Sequence, residues 1–194
     1  MRRMAADTGP VIGAAFDVTL ARAQHGDEAA FTRIFRDVQP VLVRYLRVIA
    51  PGVAEDVAGD TWLNVVEGLT GFRGDEAAFR AWLFTIARHR VVDRGRWRAR
   101  HPTVALENSD TAHCLTAPDA ADAALARIGV QAALSAMARL PGDQGEIIML
   151  RMVAGLDVDQ VARITGKSPG AVRVAAHRGL RRLASLAGSM GVTV

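Results

Sequence analysis

Cysteine, lysine and tyrosine occur once each in this 194-residue chain, as Cys114, Lys167 and Tyr45. A lone cysteine excludes an internal disulfide framework and fits a reducing, cytoplasmic compartment. No apolar run approaches the roughly 18 residues that a membrane span needs. The stretch after Arg2 and Arg3, MAADTGPVIGAAFD, is too short and weakly apolar for a secretory signal, so no membrane insertion is expected. Aromatic residues make up only 5% of the chain. No segment alternates polar and apolar with period two, which argues against a sheet. What remains is helical periodicity punctuated by proline and glycine, and the expected fold is all-α, in two small helical domains. The net charge is only +4, yet the pI is about 10.4 because nearly every base is arginine, whose planar fork suits phosphates and base edges.

Residues 1–15 read as a flexible leader. Asp17 is placed to cap a short helix ending near Gly26. Asp27 caps a longer one with an apolar stripe (Phe31, Ile34, Phe35, Val38, Leu42, Tyr45, Leu46, Ile49), and Pro40 predicts a kink or break inside it. A third helix is expected over 53–69. After the loop GFRGD a fourth starts near Asp75, with Phe79, Trp82, Leu83 and Ile86 at helical spacing. These elements make a first domain over 16–100. Residues 101–126 contain the acids Glu107, Asp110, Asp119 and Asp122 and no lysine or arginine. They read as an acidic linker over 101–123 that becomes helical around Asp119–Asp122. A second helical domain follows over 124–187, then a disordered tail over 188–194.

The stretch DVDQVARITGKSPGAVRVAAHRGLRRL, beginning at Asp157, has the spacing of a helix-turn-helix. Val158, Val161 and Ile164 share one face of a first helix, while Val172, Ala176, Leu180 and Leu183 share one face of a second. Ala162 falls where the helices cross, and Gly166 at the turn, where positive φ costs glycine least. Ser168-Pro169 is an N-cap followed by a favoured first-turn residue. Arg173, His177, Arg178 and Arg181 are left on the outward side, the layout of a recognition helix for a DNA major groove. A second basic constellation lies upstream. Arg88, Arg90, Arg94, Arg96, Arg98 and Arg100, opposed only by Asp93 and joined by Trp97, surround the end of the fourth helix. Arginine with an aromatic suits single-stranded or opening nucleic acid. Two basic surfaces on tethered domains imply bipartite recognition.

In this order the segments resemble a family. AEDVAGDTWLNV (54–65), FRAWLFTIARHRVVDRGR (79–96), LPGDQGEIIMLRMVAGLDVDQVA (140–162) and the helix-turn-helix are similar to regions 2 and 4 of the bacterial RNA polymerase sigma factors of the extracytoplasmic-function (ECF) group. The resemblance covers roughly 27–100 and 124–187. It implies a subunit that binds core RNA polymerase through the β′ clamp helices and the β flap, and that directs initiation at promoter DNA by recognising −10 and −35 elements. Core binding would fall to Asp56 and Asp60 with Trp62 as apolar anchor, Leu63 and Val66 being read as core. The loop 70–77, with Phe72 and Arg73, matches the place where a flipped −10 base is captured. Arg88, Arg90, Arg94 and Trp97 would hold the opening duplex. Lys167 and Ser168 would meet phosphate, and Arg173, His177, Arg178 and Arg181 would contact the −35 element. An anti-sigma factor is implied as a further partner. The chain departs from the family's usual residues at Gly59 (glutamine), His89 (asparagine), Gly145 (arginine) and Val174-Ala175 (Ser-Arg).

Two other classes compete on sequence grounds. One is a two-domain DNA-binding regulator that acts without polymerase. The other is a metal or thiol enzyme using His101, His113 and Cys114. These three lack a fourth ligand at zinc spacing and a positioned base, so no metal, cofactor or catalytic residue is expected.

Overall fold

The computed structural model describes residues 13–100 and 120–189, and every regular element among them is helical. The first half holds α1 (Phe16–Gln24), α2 (Glu28–Ile49), α3 (Ala54–Leu69) and α4 (Glu76–Arg100). The second holds α5 (Ala120–Ala138), α6 (Gln144–Ile148), α7 (Val158–Thr165) and α8 (Pro169–Ser189). Most of the expected boundaries follow from caps. The Asp27 carboxylate accepts from the Ala30 amide at the start of α2, and that bond with the Arg22 guanidinium holds its pKa below the ordinary value. At the start of α4 the Asp75 carboxylate accepts from the Ala78 amide.

Four local expectations are corrected. Asp17 lies inside the first turn of α1, whose N-cap is Ala15; the carboxylate is two residues too late to cap and instead faces the helix's positive end. The leader's last residues, Gly13–Ala15, form a 3-10 turn, and the Gly13 amide donates to Glu76 Oε2 at 3.1 Å. Helix α2 runs unbroken through Pro40. Proline removes one bond to the carbonyl four residues back, but Pro40 and Arg36 are both exposed, so water can satisfy that group. At the other end α8 continues to Ser189, into the stretch read as tail. Residues 1–12, 101–119 and 190–194, with His101, His113 and Cys114, lie outside the described residues.

Helices α1–α4 bury Phe16, Ile34, Leu42, Tyr45, Leu46, Val57, Val65, Phe79, Leu83 and Phe84. Helix α3 approaches α4 so closely that a Cβ at Gly68 would lie 2.8 Å from the Trp82 ring. In the second half α6 runs into a wider π turn, Met149–Val153, and Ile147, Met149, Leu150, Leu156 and Val161 are fully or almost fully buried. The two halves do not stand apart. One buried cluster extends from Phe16 through Tyr45 and Met149 to Val172, with α5 and α6 against α2 and α7 against α4.

Candidate nucleic-acid and partner interfaces

The helix-turn-helix is built as its spacing requires. Asp157 accepts from the Gln160 amide at 2.7 Å while the Gln160 side chain accepts from the Asp157 amide at 2.9 Å, a closed capping box at the start of α7. Gly166 turns the chain at φ 69°, a conformation a side chain would strain. Ala162 is 6% exposed at the helix crossing and Val172 is fully buried. Ser168 Oγ accepts from the Ala171 amide at the start of α8. Arg173, His177, Arg178 and Arg181 are all exposed, and among the described residues none of the four holds an ion pair. Leu180, expected on the packed face, is 40% exposed, because at about 100° per residue it falls beside Arg173 at the rim. Lys167 is less available than expected, since its ammonium is ion-paired with Asp143.

The arginines of α4 divide. Arg94 bridges two acids of α3, at 3.0 Å from Asp56 Oδ2 and 3.6 Å from Asp60 Oδ2. Arg90 donates to Asn64 Oδ1. Arg88 Nε lies 2.9 Å from Glu146 Oε1 in the opposite half, and the buried Tyr45 hydroxyl donates to the same oxygen at 2.9 Å. Burial and the Glu146 carboxylate together push the Tyr45 pKa well above its ordinary value. Trp97 is 42% exposed. Asn64, Ile86, Arg88, His89, Arg90 and Arg96 help to line a basic cleft of about 530 Å³.

The 70–77 loop is held by its own side chains. Phe72 stacks on Trp82 with centroids 5.0 Å apart and meets Phe79 edge-on. Arg73 donates to the carbonyls of Thr70 and Phe72. Gln24 donates to the carbonyls of Leu69 and Phe72. Phe72 is therefore a half-buried wall of the loop, already stacked.

The assignments on α3 are reversed. Trp62 is 6% exposed, wedged against Phe31 and Phe35, and its indole donates to Gln39 Oε1 at 2.6 Å. It is core. Leu63 and Val66, read as core, are 66% and 53% exposed. Helical geometry explains the exchange: Asp56, Gly59, Asp60, Leu63, Val66 and Glu67 fall within one outward arc, and Trp62 lies roughly 100° away. Val66 also borders an apolar cleft of about 470 Å³ beside Phe31 and Leu69. The i, i+3, i+7 spacing of Asp56, Gly59 and Leu63 was the readable signal for this face. Nothing in the sequence signalled the Tyr45–Glu146–Arg88 cluster, whose members lie far apart in the chain. Among the described residues there is no cluster of metal-ligating side chains, and no helix is long and apolar enough to cross a membrane.

Comparison with known proteins gives these surfaces a family. Residues 34–101 match the model of sigma-70 region 2, and residues 131–183 that of sigma-70 region 4. The chain is 35% identical to the ECF RNA polymerase sigma factor ShbA of Streptomyces griseus, covering 93% of this chain and 97% of that one. It is 33% identical to the ECF sigma factor SigD of Mycobacterium tuberculosis, over 88% and 83%. Among solved structures, the fold is similar to CnrH in complex with the cytosolic domain of CnrY (TM-score 0.60, 23% identity, 90% and 98% covered). It is also similar to RpoE of Bartonella quintana bound to the anti-sigma factor NepR (TM-score 0.59, 24% identity, 80% and 95% covered). This chain belongs to the ECF RNA polymerase sigma factors.

Proposed function

We propose that the chain joins core RNA polymerase and directs it to promoters through two separate readers, with no catalytic chemistry of its own. The observation that carries the reading is the outward arc of α8, where four cationic or titratable side chains stand exposed on a correctly built helix-turn-helix. That arc is the −35 reader, with Ser168 and the first turn of α8 beside phosphate and Lys167 exchanging Asp143 for phosphate. The −10 element and strand opening fall to the 70–77 loop, with Phe72 and Arg73, and to the α4 cleft, with Arg88, Arg90, Arg94 and Trp97. Core polymerase docks on the outward face of α3, where Asp56 and Asp60 flank the exposed Leu63 and Val66. An anti-sigma factor is the regulatory partner, as in the NepR complex of the similar RpoE, and the cytoplasm is where core polymerase is met.

Run-off transcription with purified core polymerase tests this directly. Core alone should be inactive on the cognate promoter and become active when the full chain is added. Sequence-specific promoter binding by the free chain, with no stimulation of core, would refute it.

A further inference from the structure

The outward arc of α8 is not uniformly polar. Val174 is 48% exposed, and at about 100° per residue it falls between Arg181 and Arg178, one residue beyond Arg173. Its neighbours Ala175 and Ala176 turn inward against the core. Val174 therefore lies in the second turn of the recognition helix, near the N-terminal end that reaches base edges in such motifs. A branched hydrocarbon there accepts and donates nothing. Pressed against guanine O6/N7 or the cytosine amine, it would strip water from a polar group without replacing it. The one apolar feature a base pair shows in the major groove is the thymine C5-methyl.

We propose that Val174 is a specificity-determining residue that packs on a thymine C5-methyl within the −35 element. The inference rests on α8 being the −35 reader. The preferred −35 sequence is first selected from a randomised duplex library with the full chain bound to core polymerase. Each thymine in it is then replaced by deoxyuridine, which removes only the methyl. At one position the wild type should lose about fourfold in affinity, the value of one buried methyl-sized group, and Val174→Ala should bring thymine and deoxyuridine together. A wild type indifferent to the methyl at every position, or a Val174→Ala variant weakened equally on both duplexes, overturns the assignment. If selection returns no preferred −35 sequence, the reading of α8 fails and the inference falls with it.

Discussion

Replacing Trp62 and replacing its neighbour Leu63 should have opposite consequences, although both residues lie on one turn of α3. Trp62 buries nearly all of a large ring between Phe31 and Phe35. Truncation to alanine leaves a cavity that cores rarely refill, at about 3–5 kcal/mol. Gln39 Oε1 loses its indole donor as well, adding about 1 kcal/mol if water cannot reach it. For a chain of this length each kcal/mol lowers Tm by about 2–4 °C, so Trp62→Ala should melt on the order of 10 °C lower. Leu63→Ala removes a side chain that is 66% exposed, and its effect on folding should stay within about 0.5 kcal/mol. If α3 is the polymerase face, Leu63→Ala together with Val66→Ala should instead weaken core binding by about 2 kcal/mol or more, since exposed apolar anchors dominate such contacts. Differential scanning calorimetry and fluorescence anisotropy against labelled core polymerase separate the two effects. A Trp62→Ala protein that melts normally and fails only in core binding would refute the burial argument. A Leu63/Val66 double variant with unaltered core affinity would remove this face from the interface.

Other consequences can be measured on the same protein. Asp157→Ala opens the capping box of α7 and should cost about 1 kcal/mol in thermal unfolding, with −35 binding falling in proportion to the unfolded fraction. Arg173→Ala should weaken binding to the cognate −35 duplex by about 1–3 kcal/mol and scrambled duplexes far less; equal losses on both would make it a phosphate contact. Tyr45 keeps its proton more tightly when folded than when unfolded, so its contribution is intact below the phenol's ordinary pKa of about 10 and is lost as pH rises beyond that. Urea titrations between neutral and alkaline pH should show that decline in the wild type and a smaller one in Tyr45→Phe.

Local signals were legible in this chain and long-range ones were not. The helix-turn-helix followed from Ala162, Gly166, Ser168 and Val172 because each answers to a steric or capping need within a few residues. Trp62 and Leu63 were exchanged because an aromatic beside two acids looks like an anchor, whereas the phase of α3 relative to α2 and α4 decides which side chain turns inward. Asp17 was misread by two residues, the usual limit of placing a cap without backbone angles. The docking of α6 on α2 left no trace in periodicity. It depends on Glu146 meeting a tyrosine 101 residues earlier in the chain, a pairing no window on the sequence contains.

The salt bridges between α3 and α4 bear on how tightly DNA is held as ionic strength rises. Every phosphate neutralised by a protein cation releases condensed counterions, and the slope of log affinity against log salt counts them. Arg94 is already neutralised by Asp56 and Asp60, and Arg88 by Glu146. Such cations trade one anion for another and release less. The salt slope of promoter binding should therefore fall below what the arginine count suggests, and be set chiefly by the exposed bases of α8.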